Sequence, residues 1–541
     1  MGSLPPELWN QICRQLSIED VCALRLSCSA WKLATYDYFA DQVFHDFYLT
    51  LTSDGLRALE YVAGHNIFST HVRRLWIIPS LFGGEYTMKL RELKQEVYFQ
   101  ETREPNVRRA PRRGTLSGPS SRKRALPRRS TYRRLSSRSK LSMADRWKVY
   151  KDAVLDHFQV LLSSRETPST GELCFRNTLE RCLPSFSNLH TAGLRNHLSY
   201  LRDEKSKRYP MVTREISSLQ NQLGFNPFSP NLLQNAAAVR GLKSPYQGGL
   251  FHSYVFSTLL VALGATQTRV AALENFDEIM VDDGLSLTTS EEEVVTPLLQ
   301  QLESLSVRIS SAHTQYDERQ KLHKDGKKVK SLLRKWEIWE DKNNRPETEI
   351  NRLLPLLAEA APSIKSLDLT MSTFDITLHE FLQDQSDLDL LDAHFHWVSE
   401  NFKFRRLTKL SLGNIIATLP SLKKFLQTTL HTLQHLTFNS FILTSESNLS
   451  ISREEELQNE GQRAWRELFV YLRVHCEIQY FEIKNLGYHS GYRKESILFE
   501  VPSHTGPDEY PKSFRPTCYD TSHDTISFGA WIDQLEFHMT P

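Results

Sequence analysis

The densest group of side chains that could bind a metal or move a proton is Asp392, His394 and His396, beside Trp397. On a helix, two histidines spaced two residues apart point about 200° away from each other and cannot share one ion, whereas on a strand they could. Apolar residues around this run recur at helical spacing, at positions 388, 391, 395, 398 and 402. We therefore predict a helix here and no metal site.

The common sequence motifs of nucleophilic catalysis, phosphate binding and zinc binding do not occur in the sequence. The 22 glycines form no G-x-G-x-x-G, G-x-x-x-x-G-K-[ST] or G-x-S-x-G motif, and H-E-x-x-H does not occur either. The seven cysteines form no C-x-x-C pair, and none is grouped with histidines at zinc spacing. The acidic triplet at 291–293 is explained by the preference of helix starts for negative charge. The sequence therefore predicts a protein that is not an enzyme and needs no cofactor.

The most regular pattern lies in the first forty residues. Leu8, Ile12 and Leu16 are spaced four apart, so they fall on one face of a predicted helix. Ser17 and Asp20 have the spacing of a capping box, in which a side chain and a backbone N–H bond each other reciprocally. This box predicts the start of a second helix.

The second predicted helix ends with Leu24 and Leu26, and a third is predicted over residues 29–38. Three short helices cannot bury all of this apolar surface among themselves. Some of it must face a partner, unless the segment is an ordinary helical hairpin at the start of a domain.

This arrangement resembles the F-box, the module that docks a substrate receptor onto the Skp-type adaptor of a cullin–RING ubiquitin ligase. The resemblance covers residues 3–43 and is carried by Leu4, Pro5, Leu8, Ile12, Leu16, Leu24, Leu26, Cys28 and Trp31. It implies that the first five of these side chains lie in a groove of the adaptor. It also implies that Leu24, Leu26 and Trp31 belong to the adaptor-binding surface, with Trp31 packing the third helix onto the first two.

The composition is that of an ordinary globular chain. Of 541 residues, 40% are apolar and 24% are charged. The longest apolar run, residues 255–265, is shorter than the roughly 20 residues that a membrane helix needs. We see no signal peptide at the N-terminus and expect an intracellular protein that does not contact a membrane.

The chain contains a strongly basic segment, which the small net charge of +2 does not reveal. Residues 103–140 hold fourteen Lys and Arg against the single acid Glu104, so this segment carries +13 and the rest of the chain −11. Because it is also rich in Ser and Pro, we expect disorder over 101–142. The clusters at 108–113 and 122–129 are of nuclear-import type.

Several roles stay open for this segment: nuclear import, nucleic-acid contact, an electrostatic tether, or a solvated insertion with no receptor. Tyr132 is the only aromatic residue among the arginines, which does not favour a groove that stacks nucleic-acid bases. We predict that the protein is nuclear, cytoplasmic, or both.

A weak repeat runs along the chain: an apolar residue, two variable ones, an apolar residue, one variable and another apolar residue. Its copies begin at Val72, Val270, Leu302, Ile364, Leu407, Leu433 and Ile478, with a looser copy at 189–194. The last two apolar residues of each copy alternate with polar ones, which is the periodicity of a strand. Most copies follow a helical stretch.

A helix followed by a short strand, repeated six or more times, resembles a leucine-rich-repeat solenoid. The usual asparagine does not occur at the expected step, and long insertions interrupt the array, such as 315–345 and 444–462. F-box proteins of filamentous fungi resemble this pattern. The predicted fold class is α/β: a three-helix F-box followed by an irregular leucine-rich-repeat-like solenoid with a parallel sheet and long insertions. An irregular α/β domain with chance leucine spacing is the alternative.

We accordingly predict an F-box over 1–45, a linker and first repeat-like segment over 46–100, the basic insertion over 101–142, and a substrate-binding repeat-like domain over 143–541. Side chains that alternate with the buried strand positions are predicted to face a concave surface and bind substrate. They are Trp76, Arg308, Asp368, Thr370, Ser411, Thr437, Asn439, Glu482 and Lys484. Trp76 is the predicted anchor, because aromatic residues dominate interface hot spots.

Three functions follow from these patterns. The first is a substrate-recognition subunit of a Skp–cullin–F-box ubiquitin ligase, which acts by holding a protein substrate near the ubiquitin carrier. The second is a non-degradative F-box scaffold or nuclear interaction protein bound to the Skp adaptor. The third is a nucleic-acid-associated protein that binds through the arginine-rich segment.

Overall fold

The structure is a computed structural model, and it describes eleven stretches of the chain together with a few isolated residues between 145 and 222. The stretches are 5–79, 174–195, 245–275, 280–281, 287–310, 353–371, 395–444, 454–489, 496–499, 517–522 and 526–538. The predicted disordered insertion, Leu4, Asp392 and His394 lie outside the described residues.

The N-terminal segment folds into α1 (Pro6–Gln15), α2 (Ile18–Ser27), α3 (Ser29–Ala34) and α4 (Tyr36–Phe44). Pro6 occupies the first turn of α1, where no backbone N–H is needed. The Ser17 hydroxyl accepts a bond from the N–H of Asp20 at 3.1 Å, as predicted. The other half of the capping box differs, because the Asp20 carboxylate accepts from the Ser17 hydroxyl at 2.8 Å and not from its backbone.

The prediction of a third helix over residues 29–38 is wrong in its extent. The chain leaves helical geometry at Thr35, whose φ and ψ are −101° and 10°. The hydroxyl of Thr35 donates to the carbonyl of Trp31 at 2.8 Å, a local bond that competes with a continuing helix. The N-terminal region therefore has four helices where the sequence predicted three.

The remaining helices are α5 (Ser53–Ala63), α6 (Asn66–His71), Phe175–Cys182, Pro245–Ala265, Thr289–Leu299, Leu353–Ala358, Leu419–Gln427, Glu454–His475 and Phe528–His538. Residues 395–401 are also helical. Within the described stretches, none of the helices combines the length and the apolar character that crossing a membrane requires.

The strands are β1 (Asp46–Thr50), β2 (Arg74–Ile78), β3 (Thr191–Leu194), β4 (Ala272–Asn275), β5 (Met280–Val281), β6 (Ser304–Ser310), β7 (Ser366–Met371), β8 (Lys409–Gly413), β9 (Ile416–Thr418), β10 (His435–Thr444), β11 (Tyr480–His489), β12 (Ser496–Phe499) and β13 (Thr517–Asp520). They form one sheet with the order β1-β2-β3-β4-β6-β7-β8-β10-β11-β12, in which β5, β9 and β13 pair with β6, β10 and β11. The strands from β1 to β11 pair in parallel, and β12 and β13 run antiparallel to β11. The predicted parallel sheet of an α/β fold is therefore confirmed.

Each copy of the sequence repeat supplies one strand of this sheet. The central apolar residues of the copies stand side by side in register, in the order Leu75, Ala192, Leu273, Leu305, Leu367, Leu410, Leu436 and Phe481. All of them are buried in one continuous core beneath the helices. In that core, the ring of Phe438 lies 5.1 Å from that of Phe441 and 6.1 Å from that of Trp465, measured between centroids.

Residues 46–79 belong to the sheet. β1 pairs with β2 over its whole length, from Asp46 opposite Arg74 to Thr50 opposite Ile78, and α5 and α6 connect the two strands. The described part of 46–100, predicted as a linker and first repeat-like segment, thus supplies two strands, whose residues Phe47, Leu49, Leu75 and Ile77 are buried in the common core.

Candidate functional site

Large apolar side chains are exposed on the N-terminal helices. Leu8 and Ile12 on α1 are 43% and 40% exposed, and Leu26 on α2 is 88% exposed. Trp31 and Leu33 on α3 are 40% and 73% exposed. Burial of such side chains against a partner is favourable in proportion to the apolar area removed from water, and exposed clusters of them mark interaction sites. We call these five side chains the N-terminal apolar surface.

The two faces of α1 have different environments. Cys13 is buried and Trp9 is half-buried, so this face packs inward. Leu8 and Ile12, one helical turn apart, face outward on a shallow groove of about 540 Å³ that they line with Gln11, Arg14 and Gln15. Leu8 and Ile12 therefore share one face of α1, as predicted, whereas Leu16 is the C-cap of the helix with an extended backbone and does not continue that face.

The other residues of the F-box resemblance differ in their exposure. Pro5 is exposed at the N-cap of α1, whereas Leu16 and Leu24 are half-buried. The sequence reasoning missed Trp9 and Leu33. The ring of Trp9 lies 5.8 Å from that of Trp31, and this contact packs α3 against α1.

Cys28, another residue of the F-box resemblance, has an exposed side chain. Its sulfur accepts the N–H of Trp31 at 3.5 Å, so the residue acts as the N-cap of α3. Capping requires a position at the helix end, which lies near the surface.

A cluster of rings joins the N-terminal helices to the sheet. The guanidinium of Arg25 on α2 lies 4.0 Å from the ring centroid of Phe39 and 5.0 Å from that of Tyr36. The Tyr36 hydroxyl is 2.7 Å from Nε2 of His65, whose ring stacks on Phe68 of α6 at 3.9 Å. The surface that would bind an adaptor is thereby attached to the first α-helical crossover of the sheet.

The face of the sheet opposite the core is called the polar face below. The predicted substrate residues lie there in two rows that follow the strand register. One row contains Trp76, Asp368, Ser411, Thr437 and Glu482, and the other contains Arg308, Thr370, Asn439 and Lys484. All are half-buried or exposed except Trp76. Period-2 alternation therefore placed all nine on the expected face, while their role in binding substrate stays a prediction.

Trp76 does not fit the role of an accessible anchor, because its side chain is 0% exposed. The guanidinium of Arg195 covers its ring at 3.9 Å from the centroid. Its indole N–H donates to Asp46 Oδ1 at 3.4 Å, and Arg74 Nη2 donates to Asp46 Oδ2 at 2.7 Å. The prediction that Trp76 is an accessible anchor is therefore wrong. Its ring is packed inside a network of polar side chains of the same protein, where a substrate cannot reach it.

Burial in this network shifts the pKa of two of its side chains. Burial raises the pKa of Glu274, although Arg195 and Arg74 offset part of the rise. Burial also raises the pKa of the Tyr48 phenol, which forms a hydrogen bond with Arg195. Opposed arginines and carboxylates at this place indicate a structural network in which each charge compensates another.

A third row on the polar face was missed by the sequence analysis. This row crosses β8, β10, β11 and β13 and consists of Lys409, His435, Tyr480 and Asp520. On β8 and β10 it lies two residues before the row of Ser411 and Thr437. Lys409 is exposed and the other three are half-buried. The signal was present in the same alternation, because each of the first three precedes the central apolar residue of its repeat copy.

Among the described residues, no three His, Cys, Asp or Glu side chains are grouped as a metal site would require. His396 is in a helical segment, as predicted, and its Nδ1 lies 3.2 Å from the hydroxyl of Ser421. Glu291 closes a capping box with Thr288 at the start of its helix and pairs with Arg176. His396 and Glu291 therefore each have a partner within the protein.

The comparison with protein families gives one match. Residues 1–44 match the model of the F-box-like family. A comparison with curated proteins finds none that matches this chain. The matched residues contain α1 to α4 and all five side chains of the N-terminal apolar surface. The chain therefore carries an F-box-like domain, a kind of domain that suggests binding to the Skp-type adaptor of a ubiquitin ligase and is generally carried by non-catalytic proteins.

Proposed function

We propose that this protein is the substrate-recognition subunit of a Skp–cullin–F-box ubiquitin ligase. In this role, α1 to α3 bind a Skp-type adaptor and, through it, the cullin–RING ligase, while the sheet holds a protein substrate. The observation that carries the proposal is that the F-box-like match and the N-terminal apolar surface coincide. The protein performs no covalent step and raises the local concentration of substrate lysines.

The energetics of the N-terminal apolar surface support docking. Full burial of one Leu or Ile contributes roughly 1.5–3 kcal/mol. Association costs about 4–15 kcal/mol in lost freedom of motion, so most of these side chains must be buried together to give a useful affinity. Removal of two of them is expected to abolish stable binding.

The proposal includes the architecture behind the F-box. The aligned repeat copies support a degenerate leucine-rich-repeat-like array of the type seen in fungal F-box proteins, with the F-box over 1–45 and the substrate-binding part over 143–541. We also propose that the protein is nuclear, cytoplasmic or both, and the basic clusters at 108–113 and 122–129 support the nucleus.

The adaptor is tested by co-expression and pull-down of the full chain with a Skp-type protein. The double variant Leu8→Ala/Ile12→Ala should no longer bind the adaptor, because it removes both large apolar side chains that line the groove on α1. Tyr61→Ala/Val474→Ala is the matched control, since these side chains are 66% and 64% exposed but lie outside the F-box-like segment. Retention of the adaptor by the first variant, or failure of the wild type to bind it, would refute the proposal.

A second measurement separates the degradative role from a scaffold role. If the wild-type complex contains a cullin together with the adaptor, the chain is part of a ligase. Adaptor without cullin, reproducibly and at matched expression, favours the non-degradative F-box scaffold.

The charge of +13 on residues 103–140 favours nucleic-acid association as a further candidate. Neutralisation of many phosphates makes the affinity fall steeply as salt rises. Titration of the full chain with a labelled DNA duplex at low and at high salt tests it, and the candidate is rejected if no binding occurs at low salt.

A further inference from the structure

The row Lys409, His435, Tyr480 and Asp520 crosses the accessible part of the polar face. His435 faces Lys409 on one side and Tyr480 on the other, and Tyr480 faces Asp520. These four residues therefore present a cation, two rings and an anion in that order, and beyond Lys409 the register continues with Ser366 on β7. We call it the anchor row.

We infer that the anchor row binds an extended peptide segment of the substrate that presents an acidic, an apolar and a basic side chain at alternate positions. This inference rests on the proposed function and names the substrate class of that same polar face. The acidic side chain lies at Lys409, the apolar one on the two rings, and the basic one at Asp520.

The spacing of the sheet sets the spacing of the peptide. Neighbouring strands are about 4.8 Å apart, so the three steps from Lys409 to Asp520 span about 14 Å. An extended chain rises about 3.3 Å per residue and turns every second side chain to the same side. Residues i, i+2 and i+4 of a peptide that crosses the strands therefore reach the cation, the rings and the anion in turn, over about 13 Å.

The centre of the anchor row suits an apolar side chain. The rings of His435 and Tyr480 are 5.8 Å apart between centroids and inclined by 31°, so they form one tilted platform. Burial, and then the charge of Lys409, lower the pKa of His435, which keeps its ring neutral at neutral pH. Burial and the neighbouring Cys518 raise the pKa of Tyr480, which keeps the phenol neutral as well.

The ends of the anchor row suit opposite charges. The Asp520 carboxylate is oriented by the N–H and hydroxyl of Ser522, which donate to Oδ1 at 2.8 and 2.7 Å. In the proposed complex, the peptide's basic side chain lies at the Asp520 carboxylate, and its acidic side chain lies at the exposed ammonium of Lys409.

The test uses the full chain bound to its adaptor and fluorescein-labelled peptides in an anisotropy assay. The probe peptide is Asp-Ser-Leu-Ser-Lys between Gly-Ser flanks, together with its reversed sequence, since either direction places the same charges on the row. Peptides with Asp at both ends, with Lys at both ends, or with Asp, Leu and Lys adjacent are the comparisons. The alternate mixed-charge peptide should bind about tenfold more tightly than each of these.

Two variants make the result specific. Lys409→Glu should transfer the preference to the peptide with Lys at both ends, and Tyr480→Ala should weaken the mixed-charge peptide about tenfold. Arg466→Glu is the matched control, because this exposed side chain lies on the helix Glu454–His475 on the core side of the sheet, and it should leave the peptide preference unchanged. Equal binding of all peptides, or an unchanged preference in Lys409→Glu, overturns the inference while the adaptor still binds. Loss of the adaptor itself would instead refute the proposed function.

Discussion

The polar face has two parts with different environments, although both follow the same strand register. Between β1 and β6, Tyr48, Trp76, Thr191, Ala272 and Ser306 are each less than a tenth exposed, and the longer side chains of Asp46, Arg74, Glu274 and Arg308 are half-buried between them. From β7 to β13, the side chains of this face are half-buried or exposed wherever the anchor row and its neighbouring rows place them, apart from Gly413. Along one sheet, the fully packed positions of this face are therefore concentrated between β1 and β6.

The difference has a physical cause in the types of side chain. In the first part, a tryptophan, a tyrosine and two arginines share space with Gly193 and other small residues, and their charges and rings satisfy one another. In the second part, short hydroxyls stand beside charged side chains and the rings of His435 and Tyr480. The side chains of the first part mainly contact one another, and the second part is the one to which we assign the substrate.

The largest expected difference is between two aromatic residues, one from each part. Trp76→Ala should lower the free energy of unfolding by about 3–5 kcal/mol, because it removes a fully buried ring. Tyr480→Ala removes a half-buried ring and should lower it by about 1 kcal/mol. Urea unfolding followed by circular dichroism measures both.

The same pair separates stability from binding. At a temperature where the Trp76→Ala variant is folded, it should bind the mixed-charge peptide with the affinity of the wild type. The Tyr480→Ala variant should bind the same peptide more weakly. Equal loss of stability in the two variants would remove the distinction between the two parts.

Two glycines extend the comparison to the backbone. A Cβ on Gly193 would lie 2.7 Å from the carbonyl carbon of Glu274 and still closer to its oxygen, so β3 and β4 would have to separate. A Cβ on Gly413 would meet the hydroxyl of Thr370 at 2.7 Å, and that side chain can rotate away. Gly193→Ala should therefore lower the free energy of unfolding by about 3 kcal/mol or more, and Gly413→Ala by about 1 kcal/mol.

Thermal unfolding of the two glycine variants gives the measurement. A cost for Gly413→Ala that matches or exceeds that of Gly193→Ala would mean that the accessible part is packed as tightly as the other.

Periodicity made much of the fold predictable. The strands follow from apolar residues at alternate positions, and the alignment of Leu410, Leu436 and Phe481 shows that one pattern repeated in sequence becomes one row in space. The outward face of α1 follows from the spacing of Leu8 and Ile12. Local patterns are sufficient where the neighbours along the chain decide the structure.

Residues that depend on distant contacts were not predictable in this way. Alternation assigned Trp76 to the correct face, but its burial depends on Arg195 and Asp46, which come from other strands or their ends. The break at Thr35 is local, but the spacing of apolar residues continues across it and so did not reveal it. The anchor row was missed for a related reason, since a row across strands is visible only when the register is known.

The boundary between the two parts is expected at β7, where Asp368 has a serine on each side in its row. Ser306 on β6 is 6% exposed, and its hydroxyl donates to Asp368 Oδ2 at 3.2 Å, whereas Ser411 on β8 is half-buried. Ser306→Ala should lower the free energy of unfolding by about 1–2 kcal/mol, because a buried charge-assisted hydrogen bond is lost. Ser411→Ala should change it by less than about 0.5 kcal/mol, since water replaces the hydroxyl. If chemical denaturation gives the two serines equal values, the packed part continues past β7, and the surface that can receive a substrate narrows to the strands from β10 to β13.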